Sequence, residues 1–130
     1  MDQDPIIVFV CEHGAAKSVI AAAYFNKLAA ETGLSVRAIA RGTNPDPQLS
    51  PTTVAGLHAD DMLPTNPFPQ KLSPADVESA RRIVSFCDLH REYQYNIVIE
   101  KWDDIPPVSE NYEKARDAIL KRLSVLIAHL

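Results

Sequence analysis

One stretch near the start of the chain decides its fold: Ile6-Ile7-Val8-Phe9-Val10-Cys11-Glu12-His13-Gly14-Ala15-Ala16-Lys17-Ser18. Its first five residues are β-branched or aromatic, which favours a strand, and an alanine-rich segment with helical spacing follows Ser18. The stretch therefore predicts a strand, a loop and a helix. Cys11 would lie where the strand ends and where the backbone N–H groups of a loop and a helix start converge. Such an arrangement suits an anion, and residues 11–18 are called the anion loop below.

The composition bounds the class of protein. The chain has 130 residues, of which 46% are hydrophobic, so we expect a single domain over residues 1–130. A net charge of −4 argues against nucleic acid or an anionic membrane as the main partner. The acidic start lacks the basic flank of a signal peptide and no apolar run is long enough to span a membrane, so we expect a cytoplasmic protein. Cys11 and Cys87 lack metal-ligand spacing, so we expect reduced thiols, no metal and no cofactor.

Segments of helical and strand-like pattern alternate along the rest of the chain. Gly33 is a helix stop, and both Ser50-Pro51 and Ser73-Pro74 have the cap-and-proline pattern of a helix start. The predicted helices are residues 18–32, 50–57, a short helix after 73 and a long helix from 109 to the end, and the later strands are residues 35–40, 82–87 and 95–100. This alternation predicts an α/β fold, a three-layer sandwich in which a four-stranded parallel sheet carries helices on both faces, with the order 2-1-3-4 if strands one and three are neighbours.

The predicted sheet brings together residues that are far apart in sequence. Ligands of such sheets bind at the carboxyl ends of the strands, where the strand order reverses. Cys11 and Cys87 both fall at carboxyl ends, so neighbouring strands one and three would put both sulfurs on the same rim. Arg41, in a loop at this rim, is either a surface residue or a second cation for the anion.

The pattern of the anion loop is Cys-x5-Lys-Ser, and here the chain resembles the low-molecular-weight protein tyrosine phosphatases and the arsenate reductases that share their fold. Those proteins have Cys-x5-Arg-Ser directly after the first strand. Ala40-Arg41-Gly42-Thr43 resembles the family's Ser-Ala-Gly-Thr segment, and Ile83-Val84-Ser85-Phe86-Cys87 resembles the reductase strand that ends in a cysteine. Lys101-Trp102, before a proline-containing loop, resembles the acid loop of the phosphatases. The resemblance covers nearly the whole chain.

The resemblance implies a phosphatase, a hydrolase in which Cys11 is the nucleophile. Lys17 would hold the anion, and Ser18 would donate a hydrogen bond to the sulfur when it leaves. The acid loop would supply Asp104, or its neighbour Asp103, as general acid. The side chains of Glu12 and His13 are expected to point away from the anion, whereas their backbone would bind it. The implied phosphate-binding residues are Glu12, His13, Gly14, Ala15, Ala16, Lys17 and Ser18.

Three departures from the family pattern leave the activity open. Lys17 stands where the family has arginine, Pro106 stands where the phosphatases have their aspartate, and the chain has two cysteines where the thioredoxin-coupled reductases use three. The leading prediction is a phosphatase acting on a phosphate monoester. The first alternative is an arsenate reductase that uses Cys11 and Cys87 with an external thiol, from thioredoxin or a small molecule. The second is a module that binds an oxyanion without turning it over.

Overall fold

A computed structural model describes residues 5–89 and 99–130 of the chain. In chain order, its elements are β1 (Ile6–Cys11), α1 (Lys17–Thr32), β2 (Arg37–Gly42), α2 (Pro51–Ala59), α3 (Pro74–Ser79), β3 (Ala80–Ser85), β4 (Ile99–Lys101) and α4 (Tyr112–Ala128). The strands form one parallel sheet of order β2-β1-β3-β4. The predicted fold class and strand order are therefore confirmed.

The side chains of β1 alternate between two hydrophobic layers, as a strand buried on both faces requires. Ile7 and Phe9 pack into a large cluster that includes residues of α1 and α4, whereas Val8 and Val10 pack with Val77 of α3. Helices thus cover both faces, which gives the three predicted layers. Cys11 belongs to the same cluster as Ile7 and Phe9, so its side chain lies on the face covered by α1 and α4.

The helix ends follow from capping residues. Gly33 ends α1 with a left-handed φ of 74°. The Ser50 side chain accepts the hydrogen bond that opens α2, and Ser73 opens α3 with a capping box. The last helix begins at Tyr112 rather than at residue 109, because the Asn111 side chain accepts a hydrogen bond from the Lys114 N–H at 3.0 Å and acts as the cap.

Two strand boundaries differ from the prediction. The strand predicted over residues 35–40 is observed as Arg37–Gly42, in register with the whole of β1. The strand predicted to end at Cys87 ends at Ser85, because the Ser85 hydroxyl accepts the Cys87 N–H at 3.2 Å and donates to the Cys87 carbonyl, which turns the chain out of the ladder. Residues 95–98 of the last predicted strand lie outside the described residues, and β4 is described over Ile99–Lys101.

A polar network joins three helices on the side of the sheet that carries α1 and α4. The Asp60 carboxylate, just beyond α2, accepts hydrogen bonds from the hydroxyls of Tyr24 and Tyr112 and from the guanidinium of Arg116, the last two at 2.9 and 3.1 Å. Burial raises the pKa of the Asp60 carboxyl, but these hydrogen bonds outweigh burial and lower it on balance. These four side chains are called the Asp60 cluster below.

No helix within residues 5–89 and 99–130 has the length and apolar character to cross a bilayer.

Candidate active site

Cys11 and Ser18 stand at the two ends of the anion loop, and their side chains meet. Cys11 is the last residue of β1 and is 8% exposed, whereas Ser18, in the first turn of α1, is completely buried. Cys11 Sγ and Ser18 Oγ lie 3.0 Å apart. The hydroxyl can therefore donate a hydrogen bond to a thiolate at Cys11, which is the contact that the sequence predicts for this pair.

The segment that follows β2 holds the carbonyl groups of the anion loop on its outer side. Four N–H groups of this segment bond to loop carbonyls: Thr43 to Cys11 at 3.2 Å, Asn44 to Glu12 at 2.7 Å, Asp46 to His13 at 3.0 Å and Ser50 to Ala15 at 3.0 Å. The C=O of one residue and the N–H of the next point in opposite directions in a trans peptide. The N–H groups that follow these carbonyls, those of Glu12, His13, Gly14 and Ala16, therefore face away from the segment.

These inward N–H groups are available to a ligand. Within residues 5–89 and 99–130, none of the four donates a hydrogen bond to the protein. Ala16, the residue before α1, has no side-chain group that could cap the helix, so the N–H groups of the first turn of α1 receive no side-chain cap from it. Convergent backbone N–H groups at a helix start attract an anion through both hydrogen bonding and the helix dipole. The open N–H groups of the loop therefore have the arrangement that suits an anion, and the oxyanion-binding role of residues 12–18 stays a prediction.

Two glycines allow this loop to lie against β2. Gly14 has a φ of +60°, in the left-handed region that other residues adopt at a cost. A Cβ at Gly14 would lie 2.9 Å from the Gly42 backbone nitrogen, and a Cβ at Gly42 would lie 2.7 Å from the Gly14 nitrogen. The two backbones are thus in direct contact, and neither position has room for a side chain.

The anion loop forms one wall of an open cavity of about 310 Å³. The described residues that line this cavity are Cys11, Glu12, His13, Ala15, Ala16, Lys17, Asp46, Ser50, Phe86 and Cys87. The wall includes five of the seven residues predicted to bind phosphate, all except Gly14 and Ser18. Lys17, the first residue of α1, is part of this wall.

Cys87 lies on the same cavity wall as Cys11, as the strand order predicts. The Phe86 N–H donates to the Val10 carbonyl at 2.8 Å, which keeps the chain beyond β3 against the end of β1. Burial raises the pKa of the Cys87 thiol, a hydrogen bond with Ser85 offsets part of this rise, and the nearby charge of Cys11 adds to it. Both cysteines are free, so a pair of thiols shares the site.

The acid loop is engaged with α4 instead of with the cavity. Trp102 is buried, and the guanidinium of Arg122 lies over its ring at 5.9 Å from the centroid. The same guanidinium bonds to the Asp104 carboxylate and holds the pKa of that carboxyl below its usual range. The described part of the cavity wall includes neither Asp104 nor Asp103. A general-acid role for Asp104 stays a prediction, and its pairing with Arg122 opposes it because a general acid must carry a proton.

Arg41 is also engaged away from the described cavity wall. Its Nε bonds to the Asp76 carboxylate at 3.0 Å, its Nη1 bonds to the Ala40 carbonyl at 2.8 Å, and its side chain is 18% exposed. Asp76 is the residue that completes the capping box of α3. The structure therefore supports neither of the two alternatives predicted for Arg41, a free surface residue or a second cation for the anion. Arg41 instead links β2 to α3 through its ion pair with Asp76.

Sequence reasoning missed three residues of the cavity wall, namely Asp46, Ser50 and Phe86. His13, whose side chain was expected to point away from the anion, pairs across the rim with Asp46, and its Nδ1 lies 3.2 Å from Oδ1 of that carboxylate. A usable signal was present, because β2 beside β1 brings the loop after β2 next to the anion loop.

Within the described residues, no three His, Cys, Asp or Glu side chains are grouped as metal ligands would be.

Similarity to known proteins extends over the whole fold. The structure superimposes on a low molecular weight protein tyrosine phosphatase from T. tengcongensis with a TM-score of 0.84, at 18% identity over 97% of this chain and 99% of the other. It superimposes on an arsenate reductase from Archaeoglobus fulgidus with a TM-score of 0.80, at 21% identity over 94% and 98% of the two chains. A thioredoxin-dependent arsenate reductase from Corynebacterium glutamicum gives 0.70, at 18% identity over 97% of this chain and 63% of the other.

These superpositions show the fold, and a match of the sequence shows the family. No curated protein matches this sequence. Residues 6–117 match the family described as low molecular weight phosphotyrosine protein phosphatase, a span that includes β1, the anion loop and both cysteines. The chain therefore belongs to the low molecular weight phosphotyrosine protein phosphatase family.

Proposed function

We propose that this protein is a cysteine-dependent phosphatase that hydrolyses phosphate monoesters through Cys11. The observation that carries the proposal is the anion loop itself. The N–H groups of Glu12, His13 and Ala16 make no hydrogen bond within the described chain, and these residues line one cavity together with Lys17 and Cys11, which supports a phosphoryl group bound there within reach of the Cys11 sulfur.

The reaction proceeds in two steps. In the first, the Cys11 thiolate attacks phosphorus, a sulfur–phosphorus bond forms, and the bond to the leaving oxygen breaks as that oxygen takes up a proton. In the second, water attacks the phosphocysteine, which releases inorganic phosphate and restores the thiolate. The Ser18 hydroxyl, 3.0 Å from the sulfur, stabilises the thiolate as it leaves.

Lys17 supplies the side-chain charge of the anion loop in a form unlike that of the family. An arginine fork can hold two phosphoryl oxygens at once, whereas an ammonium group acts as a single point charge. The backbone N–H groups of the loop therefore carry a larger share of the binding in this chain. Replacement Lys17→Met leaves these N–H groups in place and should weaken phosphate binding without abolishing it.

The test is phosphate release from an aryl phosphate by the wild type and by Cys11→Ser, with Cys87→Ser as the matched control. We expect turnover by the wild type, none by Cys11→Ser, and nearly unchanged turnover by Cys87→Ser, because hydrolysis needs one thiol. Equal turnover by the wild type and Cys11→Ser would refute the proposal. Binding of inorganic phosphate without turnover by the wild type would favour an oxyanion-binding module.

The position of Cys87 favours a second candidate, reduction of arsenate. In this reaction the Cys11 thiolate displaces water from arsenic, and Cys87 then attacks the Cys11 sulfur. Arsenite leaves with the electron pair of the sulfur–arsenic bond, and a Cys11–Cys87 disulfide forms. An external dithiol of the thioredoxin type, or two small thiols, would reduce this disulfide. A shared cavity wall supports the exchange between the two sulfurs.

The two activities are separated by the same variants. Arsenate reduction predicts thiol-dependent arsenite release that is lost in both Cys11→Ser and Cys87→Ser. Because burial raises the pKa of the Cys87 thiol, arsenite release should also increase as the pH rises and Cys87 loses its proton. Arsenite release that survives Cys87→Ser would contradict this second candidate.

A further inference from the structure

A phosphatase of this kind needs a proton for its leaving group, and the described acid loop does not bring one to the cavity. Asp104 pairs with Arg122, which holds the pKa of its carboxyl below the usual range, and it lies outside the described cavity wall. The ionisable residues of the described wall are Cys11, Glu12, His13, Lys17, Asp46 and Cys87. The two cysteines and Lys17 have other proposed roles, so the candidate proton donors within the described wall are Glu12, His13 and Asp46.

His13 and Asp46 are joined to each other twice. The Asp46 N–H donates to the His13 carbonyl at 3.0 Å, and the Asp46 Oδ1 lies 3.2 Å from the His13 Nδ1. The first contact is a hydrogen bond between the two backbones, and the second places the carboxylate within ion-pair distance of the imidazole. Asp46 lies between Pro45 and Pro47, whose rings restrict the backbone of this loop. The pair is therefore held in place from both sides.

The pair is also accessible from the cavity. The side chains of His13 and Asp46 are 55% and 48% exposed, and both residues line the cavity next to Cys11. The Asp46 carboxylate lies beside Nδ1, so Nε2 is the ring nitrogen left for a second hydrogen-bond partner. The Glu12 Oε2 lies 3.8 Å from Nε2, which is an ion-pair distance but too long for a hydrogen bond, so the hydrogen-bond position of Nε2 is open in the described chain.

We propose that His13 is the general acid of the phosphatase and that Asp46 is its positioning residue; this inference rests on the proposed function. His13 gives the Nε2 proton to the leaving oxygen as the bond between that oxygen and phosphorus breaks. Neutral His13 then takes a proton from the water that attacks the phosphocysteine. The products are an alcohol or phenol and inorganic phosphate, and the imidazolium and the thiolate are both restored. Asp46 holds the ring through Nδ1 in both steps.

Leaving-group dependence tests this role directly. A general acid matters for a leaving group that needs a proton and much less for one that is stable as an anion. The quantity to measure is kcat/KM, which reports the step in which the leaving group departs, with phenyl phosphate and with 2,4-dinitrophenyl phosphate. For His13→Gln we expect a loss of about 100-fold with the first substrate and less than about 5-fold with the second. Asp46→Ala should show the same pattern with a smaller loss.

Controls separate this role from a structural one. His58→Gln, on the exposed surface of α2, should leave the leaving-group dependence unchanged, and Asp104→Asn tests the carboxylate that competes for this role. Free imidazole should restore the turnover of phenyl phosphate by His13→Ala, which a merely structural histidine would not permit. His13→Gln and Asp46→Ala should be non-additive, because both act through one proton transfer.

Each other outcome has a definite reading. Equal losses with both substrates, or no loss in His13→Gln, would overturn the role of His13 while turnover that depends on Cys11 keeps the phosphatase. If Glu12→Gln or Asp104→Asn lost far more activity with phenyl phosphate than with 2,4-dinitrophenyl phosphate, and His13→Gln did not, the general-acid role would belong to that carboxylate instead. If the wild type turned over neither substrate faster than Cys11→Ser does, the proposed function would be overturned, and the role of His13 with it.

Discussion

Replacement of Gly14 by alanine should damage both stability and the anion site, and two other glycines separate the causes. Gly14 combines a φ of +60° with a backbone contact, since its Cβ would lie 2.9 Å from the Gly42 nitrogen. Gly33 has a similar φ of +74° but no heavy atom within 4 Å of its Cβ position. Gly42 has the contact, at 2.7 Å from the Gly14 nitrogen, without a positive φ.

The expected magnitudes follow from these geometries. Gly33→Ala should lower the free energy of unfolding by about 1 kcal/mol, the cost of a left-handed conformation alone. Gly42→Ala should lower it by about 2 kcal/mol, because two backbones that cannot yield locally must move apart. Gly14→Ala incurs both costs and should lose about 3 kcal/mol, a large part of the stability of a domain this size.

Urea unfolding of the three variants measures these losses, and binding of inorganic phosphate measures the effect on the site. Gly14→Ala and Gly42→Ala should weaken phosphate binding, since the Gly14 N–H must shift with the loop. Gly33→Ala, at the far end of α1, should not. A Gly14→Ala variant no less stable than Gly33→Ala, or one that binds phosphate as the wild type does, would refute the close packing of the anion loop on β2.

Three further predictions concern the helices and the thiol. Gly56→Ala should destabilise the protein, although alanine normally favours a helix, because the new Cβ would collide with the Tyr112 ring; urea unfolding measures this. The lowered pKa of Asp60 contributes stability that is present above about pH 4 and is lost as the pH falls through the folded-state pKa. Asp60→Asn should therefore lower the free energy of unfolding at neutral pH, and unfolding curves at decreasing pH should show this difference from the wild type becoming smaller. Ser18→Ala should lower kcat about 30-fold in steady-state assays, since the leaving thiolate loses a hydrogen bond worth about 2 kcal/mol.

The features of the fold that could be predicted from sequence are those that rest on local signals. The strand and the loop at residues 6–18 follow from β-branched residues and one glycine, and the starts of α2 and α3 follow from Ser50 and Ser73, which cap as expected. Alternation of strands with helices predicted the parallel sheet, and the expected order 2-1-3-4, which the structure has, brings Cys11 and Cys87 to one cavity.

The features that sequence reasoning missed depend on contacts between distant segments. Asp104 is followed closely by prolines, as an acid loop would be, but a guanidinium from α4 draws its carboxylate away. Nothing in the sequence near Asp104 indicates that Arg122, which lies within α4, is placed over the Trp102 ring. In the same way, Asp46 has the pattern of an ordinary proline turn until the packing of β2 on β1 brings it to His13.

Trapping of the covalent intermediate tests the central claim most directly, because every step proposed above passes through one sulfur. The wild type is mixed with an aryl phosphate, quenched within milliseconds and analysed by peptide mass spectrometry, with Cys87→Ser treated in parallel. We predict a phosphoryl group on Cys11 in both proteins and none in Cys11→Ser. Phosphate release without a phosphorylated Cys11, or a phosphoryl group on any other side chain, would contradict the account.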